Sequence, residues 1–221
     1  MTFKTIIFDM DGVLIDSEPM HLEAANEVLG LEGAHLSALD NAEYLGCNEK
    51  LYWGALVERF SLANDPNYYI KLRHDVLVRM LREQLPIAAG VVNVLGDLSN
   101  RGCKLALASS SGRSLIDHVV DKGGMAEFFE VIASGDEVKN SKPDPEIFLL
   151  AAERLGAEPE DCLVFEDSAN GIKAAIAAGM TCVRVETATT QGLTFPEVAA
   201  SIRGFENVDL DGILDLERNR S

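Results

Sequence analysis

Basic residues are scarce in this chain: 19 Lys and Arg stand against 36 Asp and Glu, a formal net charge of -17. That balance repels nucleic-acid phosphates and anionic membrane surfaces, so neither is expected as a partner, and any anionic ligand must be captured by a local constellation. Cysteine is sparse too. Cys47, Cys103, Cys162 and Cys182 are scattered without C-x-x-C spacing, and each reads as a small buried apolar residue in a reduced protein. No apolar run approaches the ~18 residues of a membrane span, and the N-terminus lacks a charged-then-apolar signal pattern. The expectation is a soluble, cytoplasmic protein acting as a monomer. There is no internal repeat and no low-complexity tract.

What is present is apolar material, 47% of 221 residues, enough for one sizeable domain or one domain carrying a smaller insertion. Short runs rich in β-branched residues recur at 5–8, 104–108, 130–133, 162–165 and 181–185, and helical patterns separate them. Near-continuous apolar strands alternating with helices predict an α/β fold with a doubly wound, Rossmann-like parallel sheet. Asp144-Pro145-Glu146 offers a cap and a proline at the first helical position, and Ile147, Phe148, Ala151, Ala152 and Leu155 then share a face before Gly156. Residues 168–178 repeat the scheme with Ile172, Ala175 and Ile176 inward, and 91–100 and 113–122 supply two further crossover helices. The stretch from Asp16 to Gln84 breaks the rhythm: it has no convincing strand and three amphipathic patterns, at 19–29, 48–60 and 67–84. The expected organisation is a core of residues 1–15 and 87–221 with an inserted helical cap domain at 16–86.

Ligands of a doubly wound sheet bind beyond the carboxyl ends of its strands. That rule gathers Asp9 and Asp11 after the first strand, Ser109 after "LALA", Lys142 in "NSKPDP", and Glu166 and Asp167 after "CLVF". Carboxylates without soft neighbours favour a hard cation, and Mg²⁺ takes one or two carboxylates plus waters and phosphate oxygens. With a cation present, Asp9 can attack phosphorus and Asp11 can move the protons of the leaving oxygen and of water. Lys142 would offset phosphoryl charge, while Ser109 and the neighbouring Ser110 and Ser111, opening a helix, would hold its oxygens. Gly12 lets the backbone turn closely around the group.

The stretches DMDGVLIDSE, LALASSS, SKPDPEIF and FEDSANGI, in this order, resemble the four motifs of the haloacid dehalogenase superfamily, in its phosphatase branch with a small helical cap. The branch most closely resembled holds β-phosphoglucomutase and the sugar-phosphate phosphatases. The resemblance implies Asp9 as nucleophile, Asp11 as acid and base, Ser109 and Lys142 on phosphate, and Mg²⁺ on Asp9, the Asp11 backbone carbonyl and Asp167, with Glu166 in close support. It implies a small phosphorylated metabolite as substrate, with Glu18 and His21 at the hinge and Asn48 in the cap loop as candidate contacts. True dehalogenases lack the second aspartate, so Asp11 argues against carbon–halogen chemistry.

Three other readings compete. A receiver module shares the sheet, the acidic pair and the lysine, but is shorter and has no helical insertion; a non-catalytic binding protein would keep the fold without turnover. A mutase shares every core residue and must also grip a second phosphate. Its members present a cap-loop arginine where this chain reads Gly46-Cys47-Asn48-Glu49-Lys50. Glu49 is expected to repel a second dianion, which favours water as the acceptor. His35, His74 and His118 fit no ligand spacing and read as surface residues.

Overall fold

The computed structural model describes residues 2–41, 44, 49–187 and 194–217, with Glu18 by its backbone alone. The chain divides into two compact units: Met1–Asp16 with Ile87–Ser221, and the intervening Ser17–Pro86.

The first unit is built on one parallel sheet. Its strands are β1 (Thr5–Phe8), β2 (Lys104–Ser109), β3 (Val131–Ser134), β4 (Cys162–Glu166), β5 (Thr181–Val185) and β6 (Ala200–Ile202), in the order β3-β2-β1-β4-β5-β6. The central strand β1 is wholly buried, as its unbroken apolar run requires. Its register decides where chemistry can occur: Phe8 lies opposite Leu107 of β2 on one side and Phe165 of β4 on the other. The residues that follow, Asp9, Ala108 and Glu166, therefore emerge level with one another at the carboxyl edge. The Asp9 N–H still donates to the Phe165 carbonyl at 3.0 Å, so the ladder carries the aspartate to its place.

Helices α5 (Val91–Asn100), α6 (Arg113–Lys122), α7 (Glu146–Leu155), α8 (Ala169–Ala177) and the short α9 (Leu210–Leu214) belong to the same unit. Ile147, Phe148, Ala151, Ala152 and Leu155 are the buried face of α7, as the 3.6-residue spacing predicts. Small residues on the strands, Ala106, Ala108 and Ala133, leave room for the Phe148 ring in that core. Its complete burial contributes about 2–3 kcal/mol.

The second unit is helical: α1 (Glu18–Gly30), α2 (Ala38–Asn41), α3 (Glu49–Phe60) and α4 (Pro66–Glu83). Its core is centred on Trp53, which stacks on Tyr69 with ring centroids 5.5 Å apart. Asn26 clamps the loop before α2, donating to the Leu36 carbonyl at 2.9 Å and accepting the Leu36 N–H at 2.7 Å. Asp65 caps α4 by accepting the Asn67 and Tyr68 N–H groups, and Pro66 opens the helix.

Several expectations need correction. Pro145 is the N-cap of α7, not its first helical residue, and the Asp144 carboxylate accepts the Glu146 N–H. Ile176 is 38% exposed, because the buried face of α8 runs through Gly171, Ile172, Ala174 and Ala175 and leaves the next position turned outward. β6 and α2 escape sequence reading because neither is long enough to establish a period. Among the described residues no helix is long and apolar enough to cross a membrane. Cys103, Cys162 and Cys182 are buried thiols, and burial pushes Cys162 up to about 12, which keeps it unreactive. Cys47 lies outside the described residues. His35 and His74 are exposed, and His118 is half-buried.

Candidate active site

Immediately after β1 the backbone makes a tight turn in which the Met10 carbonyl accepts the N–H groups of Val13, Leu14 and Ile15. Gly12 sits in this turn at φ +73°, and a Cβ there would fall 2.0 Å from Asp167 Oδ2. Both the dihedral and the close approach call for glycine. The turn brings Asp9 (6% exposed) and the half-buried Asp11 to the strand end.

Around Asp9 the predicted residues converge. Lys142 Nζ donates to Asp9 Oδ1 at 2.5 Å, to Glu166 Oε1 at 2.9 Å and to the Ala108 carbonyl at 3.3 Å. The same ammonium lies 4.7 Å from the centroid of the Phe148 ring, a cation–π contact beneath the charge. Glu166 Oε2 in turn accepts the Ser168 N–H at 2.7 Å and the Ser168 hydroxyl at 3.0 Å. Asp9, Glu166 and Asp167 are all buried and offer carboxylate oxygens within 4.8 Å of one another. Asp11 is not part of this trio; its Oδ2 accepts the Ser111 hydroxyl at 3.4 Å.

Burial pushes the Asp9 pKa from 3.8 to about 7; Lys142 pulls it down, and the Glu166 and Asp11 carboxylates push it further up. For Lys142, burial alone would lower the pKa, but Asp9 and Glu166 outweigh it and hold the ammonium above the ordinary lysine value. One ammonium thus bridges two buried carboxylates, Asp9 and Glu166, with the Asp167 carboxylate close beside them. Such a buried cluster of hard oxygen donors fits a divalent cation such as Mg²⁺.

The serines divide. Ser109 closes β2 and is buried, its Oγ accepting the Ser111 N–H at 3.1 Å. Ser111 is half-buried and Ser110 exposed. A cavity of about 200 Å³ opens in this unit beside Gly12, Asp16, Glu186 and Arg203, at the carboxyl ends of β1 and β5.

Glu18 and His21 belong to the helical unit, and Asn48 lies outside the described residues. His21 Nδ1 accepts from the Arg73 guanidinium of α4, and Arg73 also donates to Glu49 Oε1 at 2.6 Å. Burial, helped by Arg73, pushes the His21 pKa down to about 3, so the ring is neutral at pH 7. Glu49 is therefore not the isolated repelling charge that the sequence suggests: an arginine from a different helix compensates it. Nothing in the linear order of residues pairs Glu49 with Arg73, 24 positions on.

Sequence reading also missed Phe148, Ser168 and Gly171 as neighbours of the charged cluster. All three lie within the stretches SKPDPEIF and FEDSANGI, but only Gly171, a glycine inside a helical pattern, stands out by residue type.

The model of the haloacid dehalogenase-like hydrolases matches residues 3–179. A phosphorylated carbohydrates phosphatase of Thermotoga maritima is 36% identical over 80% of this chain and 82% of its own length. The fructose-1-phosphate phosphatase YqaB of Escherichia coli is 34% identical over 83% of this chain and 96% of its own. Among solved structures, CbbY from Rhodobacter sphaeroides in complex with phosphate superposes with a TM-score of 0.80 at 26% identity, covering 97% of this chain and 100% of that one.

Proposed function

The chain belongs to the haloacid dehalogenase-like hydrolase family, and from that premise we propose that it is a phosphatase releasing inorganic phosphate from a small phosphorylated carbohydrate. The observation that carries the reading is the Lys142-bridged pair of buried acids at the ends of β1 and β4, with Asp11 set apart from the acidic trio. An Asp9 oxygen attacks phosphorus, and the bond from phosphorus to the ester oxygen breaks. Asp11 donates a proton to that leaving oxygen, so a neutral alcohol departs and an aspartyl phosphate remains. Asp11 then takes a proton from water, whose oxygen attacks phosphorus and frees Asp9 and phosphate. Lys142 offsets the charge gathering on the phosphoryl oxygens, and the Ser109 hydroxyl with the Ser110 N–H orients them.

Asp9, Asp167 and the Asp11 carbonyl are the groups that would hold Mg²⁺, which supplies positive charge against the transferring phosphoryl group. Both Glu166 oxygens already carry hydrogen bonds, so we assign Glu166 to holding Lys142 rather than to the metal. Glu18, His21 and Asn48, from the helical segment, are left as candidates for recognising the rest of the substrate.

The test is a phosphate-release screen over phosphorylated sugars, sugar acids and small alcohols with Mg²⁺. Turnover is expected to fall at least ~10³-fold in Asp9→Asn. Asp11→Asn is expected to lose turnover but keep binding phosphate mimics. Retained turnover in Asp9→Asn overturns the mechanism. A second reading, a phosphosugar mutase, would require Arg73 to leave Glu49 for a second phosphate. Incubation with β-glucose 1-phosphate and a trace of the bisphosphate decides: fast formation of glucose 6-phosphate with little free phosphate would identify the mutase.

A further inference from the structure

We infer that Gly171 is a positioning residue of this centre: its missing side chain is what allows the Glu166 carboxylate to lie between the start of α8 and the Lys142 ammonium. The inference rests on the reading above that Lys142 serves the phosphoryl group. Gly171 lies in the first turn of α8, where its N–H donates to the Ser168 hydroxyl at 3.0 Å. Its backbone has ordinary helical dihedrals, so no left-handed turn explains the glycine, and inside a helix glycine is less favourable than alanine. The explanation is spatial. A Cβ on Gly171 would fall 1.6 Å from Glu166 Oε1, 1.9 Å from its Cδ and 2.4 Å from Oε2, and these are its three nearest neighbours.

Any side chain at 171 must therefore displace the buried carboxylate that holds two partners. Oε1 faces Lys142 and Oε2 takes the N–H and hydroxyl of Ser168. Shifting Glu166 leaves Lys142 with Asp9 and the Ala108 carbonyl alone, so the ammonium follows Asp9 and no longer stands where three anchors fix it. A mispositioned charge lowers turnover more than ground-state binding.

The experiment is a cycle of Gly171→Ala, Glu166→Asp and the double variant, read by steady-state kinetics on the best ester from the screen, by thermal unfolding without metal, and by amide exchange at Ser168. Gly171→Ala is expected to lose roughly 10²-fold in kcat with KM nearly unchanged, to unfold at a lower temperature as the buried Lys142–Glu166 pair is disturbed, and to exchange the Ser168 amide faster as its carboxylate acceptor moves. In the Glu166→Asp background, where the shorter acid vacates the space, the same alanine is expected to cost less than about 3-fold, the non-additivity of two residues in contact. Wild-type turnover in Gly171→Ala, or an equal loss in both backgrounds, overturns the inference. If Gly171→Ala fails to fold, recovery of a folded protein in the double variant supports the clash with Glu166, and failure of both overturns it. Absence of phosphate release by the wild type would instead strike the functional reading, while Ser168 exchange would still judge the placement of Glu166.

Discussion

Two carboxylates at the same edge of one sheet have been driven in opposite directions. Asp9, beyond β1, is pushed up to about 7 by burial and by crowding from Glu166 and Asp11. Glu137, beyond β3, is pushed down to about 2: Arg154 donates to its Oε1 at 2.7 Å and the Ser134 N–H to its Oε2 at 2.9 Å. The difference is first burial, and then the number of cations and N–H groups per acid. Glu137 has a guanidinium and a serine cap and keeps water on one side; Asp9 is buried and shares Lys142 with Glu166. The first arrangement stabilises the fold. The second gathers buried hard oxygens and holds the Asp9 pKa near neutrality, a setting suited to binding a cation and to a carboxylate that reacts.

Removing Lys142 gives the largest expected effect. Lys142→Met keeps an unbranched chain against Phe148 but leaves the buried carboxylates without their ammonium, and losing one partner of a buried pair costs about 3–5 kcal/mol. In metal-free protein this loss, measured by urea unfolding followed by circular dichroism, is expected to be greater at pH 8 than at pH 6. At the lower pH Asp9 takes up a proton more readily, and the uncompensated charge shrinks. Trp53, the sole tryptophan, belongs to the helical unit and serves as an internal control. Unchanged stability would mean that Lys142 does not balance the buried acids.

Most of this edge is legible in the sequence, because strands of a parallel sheet announce themselves by apolar runs and their carboxyl ends follow directly. Asp9, Ser109 and Glu166 are each the first chemistry-bearing residue beyond such a run, and Lys142 lies in the loop that follows another. What was not legible depends on neighbours far apart in sequence. Phe148 looks like one more apolar residue of α7 until its ring is found under Lys142. The pairing of Glu49 with Arg73 reverses the meaning of an acidic loop residue, and no periodicity encodes it. β6, three residues with partly exposed side chains, has no pattern to read at all.

Adding Mg²⁺ sharpens the contrast further. A cation bound only by the folded state stabilises it by about 2.7 kcal/mol at a hundred times its dissociation constant. Titration with Mg²⁺ is therefore expected to raise the thermal midpoint of the wild type and to raise it much less in Asp167→Asn, which removes one buried charge of the trio. Glu137→Gln, at the other corner of the same edge, is expected to keep the full rise. An equal rise in all three proteins would place the cation somewhere other than the acidic trio.

The smallest effect belongs to Glu137 itself, and its sign can be worked out. The folded pKa of about 2 lies below the ordinary value of 4.5, so the ionised form is the one that folding favours. Its contribution is whole above about pH 4.5, fades as the unfolded chain gains protons that the folded protein refuses, and is gone once pH falls through about 2. The Glu137 side chain keeps 31% of its surface in water, so screening limits the pair to about 1 kcal/mol at most. Glu137→Gln retains an oxygen that can accept the Ser134 N–H and loses only the charge facing Arg154. At pH 7 the variant is expected to be less stable than the wild type by up to that amount. The gap between the two urea midpoints should then close between pH 4.5 and pH 2, as the wild type loses an advantage the amide never had. A gap that stays constant down to pH 2 would show that Arg154 and Ser134 do not favour the ionised acid, and the contrast with Asp9 would fail at its simpler end.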